Sequence, residues 1–184
     1  MEAQNEDFKI IESKKTKKNN INLTLDTALP KEWCLWYHHD KDKNNWKIDG
    51  FKNIYSVKTI GDFWQLYNNW DKLGGVNQRH YFLMQKNINP IWEDPQNKNG
   101  GCWSYKINEN QAGELWEDLS VYLVTEILSQ KPNDLTGISI CLKKNNSVLK
   151  IWNKNSGDNS LSLLNENILK KWGLDIKYIA HIPE

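Results

Sequence analysis

Ten of the 184 residues are tryptophan. An indole ring is bulky, and its N–H needs a partner when it is buried. One core has limited room for such rings, so a chain this rich in them is expected to hold some outside it. The chain is long enough for one domain with a full core. The question is then which rings their neighbours in sequence keep at the surface.

Lys plus Arg number 24 and Asp plus Glu 23, a net charge of +1, which argues against a bulk binder of duplex nucleic acid. No apolar run marks residues 1–20 as a leader, and no stretch is long enough to span a membrane. Cys34, Cys102 and Cys141 are far apart and form no C-x-x-C pair. That pattern points away from a disulfide framework or zinc knuckle and towards a reducing interior. The run Ser13-Lys14-Lys15-Thr16-Lys17-Lys18-Asn19-Asn20 is polar, basic and aperiodic. Residues 1–27 are therefore expected to be a disordered tail ahead of a domain over 28–184.

The chain then reads as strands punctuated by amphipathic segments. Trp33 to His38, Phe51 to Val57, Arg79 to Gln85, Trp103 to Ile107 and Ile176 to Ala180 read as strands. Gly137 to Lys143 and Val148 to Trp152 read as a hairpin turning at Asn145-Asn146. Thr59 opens a helix with Asp62 as its capping partner, and Gly74-Gly75 closes that region. Gln111 to Leu128 is expected to be the longest helix, with Trp116, Leu119, Leu123 and Ile127 on one side. Leu161 to Trp172 is expected to be the third. Helices that each need one face covered are best served by one side of an antiparallel sheet, an α+β architecture with the opposite sheet face left free.

Two rings stand where a core would not recruit them. Trp46 follows the polar loop Asp40-Lys41-Asp42-Lys43-Asn44-Asn45. It is either a loop anchor folding back or an exposed stacking ring. Trp92-Glu93-Asp94 lies between Pro90 and Pro95, which disfavour a helix or central strand there. That loop presents an aromatic face beside a carboxylate. A carboxylate accepts two hydrogen bonds from a donor–donor edge, such as the ring N–H and exocyclic amine of guanine. Methylation of guanine at the seven position makes the base cationic, and each indole facing it then adds about 0.5–2 kcal/mol of cation–π attraction. Catalytic and metal readings have less support. The four His show no ligand spacing, the paired glycines open no phosphate loop, and no nucleophile has an evident base.

These residues bring a family into view. Trp33-Cys34-Leu35-Trp36-Tyr37, then Trp46, then Asp62-Phe63-Trp64-Gln65-Leu66-Tyr67-Asn68 resemble eukaryotic translation initiation factor 4E, the messenger-RNA cap-binding family. So do Pro90-Ile91-Trp92-Glu93-Asp94, Asn97-Lys98-Asn99-Gly100-Gly101-Cys102-Trp103, Ile151-Trp152 and Leu169-Lys170-Lys171-Trp172-Gly173-Leu174, in family order over about residues 28–181. The resemblance implies a curved antiparallel sheet with three helices on its convex face, like a cupped hand. It implies that Trp46 and Trp92 stack on the cap base, that Glu93 reads the guanine edge while the Trp92 backbone N–H donates to the base carbonyl, and that Trp152 touches the methyl group. Trp33 and Trp46 are both Trp, as in the translation-initiating class of the family. Lys143 falls where the family has an Arg for the triphosphate. Cys102 and Val148 fall where it has basic residues, and Lys144 and Lys150 are the candidates to substitute; strand alternation puts Lys150 on one face with Val148 and Trp152. On the back of the hand, Trp64 matches the receiver of a peptide helix from a 4G-like scaffold or an inhibitor, with Ile60 and Val121 beside it. The expectation is a cytoplasmic, also nuclear, monomer without cofactor or metal. It binds capped RNA and engages the scaffold; the alternatives are a cap-binding repressor or decoy that does not engage it, and an interaction protein with lost or altered cap specificity.

Overall fold

The computed structural model describes residues 23–38, 44–73, 80–143, 146–173 and 175–181. The seven strands are β1 (Ala28–His38), β2 (Phe51–Thr59), β3 (His80–Gln85), β4 (Gly101–Ile107), β5 (Leu135–Lys143), β6 (Asn146–Asn153) and β7 (Ile176–Ala180). They form one antiparallel sheet in the order β2-β1-β3-β5-β6-β4-β7. The α-helices among the described residues are α1 (Ile60–Asn68), α2 (Glu109–Val124) and α3 (Glu166–Trp172). This is the expected α+β architecture, a curved sheet backed by three helices.

Period-two alternation divides the sheet into two faces. Trp33, Leu35, Tyr81, Leu83, Trp103, Tyr105, Ile138, Ile140, Leu149 and Ile151 all point into the main core. There they meet Ala112, Leu115, Trp116, Leu119 and Leu123 from α2, together with residues of α1 and α3. Burying each such Leu contributes about 1.5–3 kcal/mol, which makes α2 the principal cover of this face. The alternate positions form a second, smaller cluster on the other face, around Phe51, Phe82, Met84, Cys102 and Trp152.

α1 starts where its capping box demands. Thr59 Oγ1 accepts from the Asp62 N–H at 3.0 Å, and Asp62 Oδ2 accepts from the Thr59 N–H at 3.0 Å. A cap of this kind is worth about 1 kcal/mol. The helix buries Phe63 and Leu66 and turns Trp64 outward. The turn before β1 docks on the same helix: Leu25 O accepts from the Gly61 N–H at 2.7 Å, and Thr27 O from the Ile60 N–H at 3.0 Å. Residues 1–22, Gly74-Gly75 and Arg79 lie outside the described residues.

Several elements start a few residues earlier than in the sequence reading, among them β1 at Ala28 and α2 at Glu109, and three further differences have a local cause. α2 ends at Val124, not Leu128, because Glu126 takes a left-handed backbone at φ 61°. Ile127 is therefore off the helix and 52% exposed. The segment Leu161 to Trp172 is broken into a 3-10 turn at Leu161–Leu163 and α3. Leu164 bridges to Ser129 between them, and Asn165 caps α3 by accepting from the Asn167 N–H at 2.9 Å. Local side-chain capping thus wins over an apolar spacing that would suit one longer helix. Finally, Lys143 pairs with Asn146, so Asn146 belongs to β6 rather than to the turn.

Candidate functional site

The free face of the sheet holds a cavity of about 520 Å³. Phe51, Phe82, Ser139, Cys141, Val148, Lys150 and Trp152 line it from the strands, and Trp46, Trp92 and Glu93 line it from two loops. Its size suits a small ligand. Val148, Lys150 and Trp152 share this face, as strand alternation requires. Trp152 is a fixed element, 2% exposed, with its Nε1–H donating to Ser139 Oγ at 2.9 Å.

Of the ten Trp, only Trp46, Trp64 and Trp92 are exposed, at 47%, 42% and 52%. Trp46 is neither loose nor core. Its ring lies parallel to the buried His38 imidazole, with centroids 4.3 Å apart and an interplanar angle of 1°. His38 Nε2–H in turn donates to Asn45 O at 2.7 Å, tying the loop to β1. The His80 ring also stacks on Trp46 at 5.5 Å.

Trp92 and Glu93 are held by their neighbours rather than by a strand. Asp94 is buried and accepts from the Asn89 N–H and the Gln96 N–H, each at 2.9 Å. Asn97 is wholly buried, and its Nδ2 donates to Asn89 O and Ile91 O, each at 2.9 Å. The Asn97 carbonyl accepts from His181 Nδ1–H at 2.8 Å. His181 stacks parallel to Trp92 at 5.8 Å and packs against Trp152 at 4.8 Å. A chain of polar contacts therefore fixes both ends of the Trp92–Glu93 pair and backs the indole with a second ring. Burial, with a smaller contribution from the charge of Lys150, lowers the His181 pKa against the hydrogen bond to Asn97, so the neutral ring is favoured.

The structure places the sequence candidates as follows. Trp46, Trp92, Glu93, Trp152 and Lys150 share one cavity. Lys150 Nζ lies 6.0 Å from the centre of the Trp92 ring. Lys143 closes β5 in backbone register with Asn146, and Lys144 lies outside the described residues. Cys102 is 2% exposed, pairs with Trp152 in the sheet, and has its pKa raised by burial, so it is a neutral thiol buried in the smaller cluster on the free face. Trp64 stands on α1 with its ring edge-on to Phe63. Val121 on α2 is half-buried against the main core, and Ile60 is half-buried at the start of α1.

Sequence reasoning missed the histidines. His38 and His80 stack under Trp46, and His181 stacks behind Trp92. It also missed that Cys141 Sγ and His80 Nε2 approach to 2.9 Å in the cavity wall. The available signal was alternation along β1, which puts His38 on one face with Trp36. Among the described residues no three His, Cys, Asp or Glu side chains gather as a metal site.

Comparison with known proteins places this geometry. The family model "Eukaryotic initiation factor 4E" matches residues 28–182. Translation initiation factor 4E-2 of Schizosaccharomyces pombe is 31% identical over 161 residues, covering 85% of this chain and 63% of that protein. Factor 4E-1 of Caenorhabditis elegans is 27% identical over 148 residues, covering 78% of this chain and 69% of that protein. The chain thus spans under two thirds of the length of the fission-yeast relative. Among solved structures, C. elegans eIF4E-3 in complex with the 4E-binding protein Mextli and cap analog aligns with a TM-score of 0.74 at 25% identity, covering 84% of this chain and 92% of that one. Ascaris suum eIF4E-3 with m7G cap aligns at 0.73 and 22% identity, covering 86% and 93%, and bears on the fold.

Proposed function

Because the chain belongs to the eukaryotic initiation factor 4E family, we propose that it binds the 7-methylguanosine cap of messenger RNA in the concave cavity and brings the message to a translation initiation scaffold. The observation that carries this reading is the distribution of tryptophan. Two of the three exposed rings flank one cavity beside Glu93 and Lys150, and the third stands on α1.

In this reading the cationic base enters between Trp46 and Trp92. Glu93 accepts from the ring N–H and exocyclic amine of guanine, and the Trp92 backbone N–H donates to the base carbonyl. Trp152 meets the methyl group from the floor. Lys150, with Lys143 and Lys144, neutralises the triphosphate. The protein acts by binding and holds the cap unchanged. The nematode relative named with cap analog and a 4E-binding protein supports both halves of the proposal. The exposed Trp64, with Ile60 and Val121, takes an amphipathic helix from a 4G-like scaffold or an inhibitor.

Retention on a resin carrying 7-methylguanosine triphosphate tests the first half. The wild type should be retained and eluted by free 7-methylguanosine triphosphate but not by guanosine triphosphate. Glu93→Ala should pass through. Equal retention of both proteins, or elution by either nucleotide alike, would sink the assignment.

A further inference from the structure

The sheet register carries a line of side chains out of the cavity. Ser139 pairs with Lys150, Lys150 with Ser104, and Ser104 with Lys177. Directly opposed residues in antiparallel strands project from the same face. This row therefore starts at Ser139 and Lys150 in the cavity lining and crosses β6, β4 and β7 to the end of the sheet. Lys106, two residues beyond Ser104 on β4, projects from the same face. Lys106 and Lys177 are exposed, and among the described residues no carboxylate forms an ion pair with Lys106, Lys150 or Lys177. A chain of net charge +1 thus gathers on neighbouring strands three ammonium groups outside these ion pairs and a hydroxyl, starting from Lys150 in the cavity lining. With strands about 4.8 Å apart, Lys150 and Lys177 stem from points about 10 Å apart, so side chains standing side by side present ammonium groups at a spacing that suits successive phosphates.

We propose that Lys150, Ser104, Lys177 and Lys106 form a track for the phosphates of the RNA chain, which leaves the base cavity across β6, β4 and β7 towards the free edge of the sheet. This rests on the cap-binding reading. The occupant is a phosphodiester chain rather than an acidic peptide because the row begins beside Trp92 and Lys150, so what lies on it is joined to the base held there. Ile179 strengthens the assignment. It is 48% exposed, shares the face through its pairing with Cys102, and stands two residues from Lys177, where the base of a following nucleotide can cover it.

The test compares the wild type with Lys177→Ala and with the double variant Lys106→Ala/Lys177→Ala. Ligands are 7-methylguanosine monophosphate and a capped four-nucleotide RNA, each titrated at several potassium chloride concentrations. Both variants alter exposed lysines and should bind the monophosphate as the wild type does. For the capped RNA, each lysine removed should lower affinity about three- to tenfold at low salt and flatten the slope of log K against log salt by about 0.7. Unchanged affinity and slope for the capped RNA would overturn the track and leave the base site standing. A wild type that binds neither ligand would overturn both.

Discussion

Replacing Asn97 by Ala removes the amide that holds the Trp92–Glu93 loop closed. The wild-type side chain is 0% exposed and donates twice, to Asn89 O and Ile91 O at 2.9 Å each. Both carbonyls lie just before the pair; Asn89 O loses the amide donor, and Ile91 O keeps only a long bond from the Asp94 N–H at 3.4 Å. Leaving a buried acceptor unsatisfied costs about 1–3 kcal/mol, and these two belong to half-buried residues that water can partly reach. The lower half of that range applies to Asn89 O, and with the weakened Ile91 acceptor and the lost packing the total comes to about 2–4 kcal/mol. Against a typical total of about 5–15 kcal/mol the domain stays folded. The loop, however, is released from its register, so cap affinity should fall by about tenfold or more. Asn97→Asp is the sharper control. It keeps the shape and replaces the donors by a carboxylate facing two carbonyls, so it should be at least as damaging. Urea unfolding reads the first effect and cap titration the second. If both variants unfold and bind as the wild type does, the loop is positioned by something else and the reasoning fails.

Other predictions follow from single contacts. His181 has its pKa lowered by burial, so the unfolded chain takes up a proton more readily below about pH 6.5. The stability that the neutral ring supplies is present above that pH and is lost as pH falls, by at most about 1.4 kcal/mol per pH unit, and unfolding of His181→Gln should lack that slope. A Cβ at Gly100 would lie 1.8 Å from the Asn153 carbonyl oxygen, so Gly100→Ala should cost about 3 kcal/mol or more. Nothing lies within 4 Å of a Cβ at Gly113 in α2, so Gly113→Ala should instead stabilise by about 0.5–1 kcal/mol; thermal melts that rank the two alike would contradict the packing. Trp64→Ala should unfold within about 1.5 kcal/mol of the wild type yet lose binding of an amphipathic scaffold peptide, read by calorimetry; intact peptide binding would remove α1 from the docking surface.

What could be read from the sequence was local. The Thr59–Asp62 capping box needs only a four-residue spacing, and α1 starts where it says. Trp92 between two prolines, and Trp46 after a charged loop, could be kept out of the core on neighbouring residues alone. Long-range register hid the remainder. His38, His80 and Cys141 are separated in the chain and meet only because β1, β3 and β5 lie side by side. Asn97 stands in the sequence only as the start of a motif in a loop rich in Asn, and the fold alone shows its amide bridging two carbonyls. The break at Asn165 was concealed by an apolar spacing that a single helix would also satisfy, while the side-chain cap that decides it competes at the scale of one hydrogen bond.

The central claim is that the cavity selects its base by charge. Intrinsic tryptophan fluorescence, titrated with 7-methylguanosine triphosphate and with guanosine triphosphate, tests it most directly. Two facing indoles should favour the cationic base by about 1–4 kcal/mol, roughly 5-fold to 800-fold in affinity, and Trp92→Ala should abolish most of that preference. Equal quenching by the two nucleotides, or a preference that survives Trp92→Ala, would contradict it.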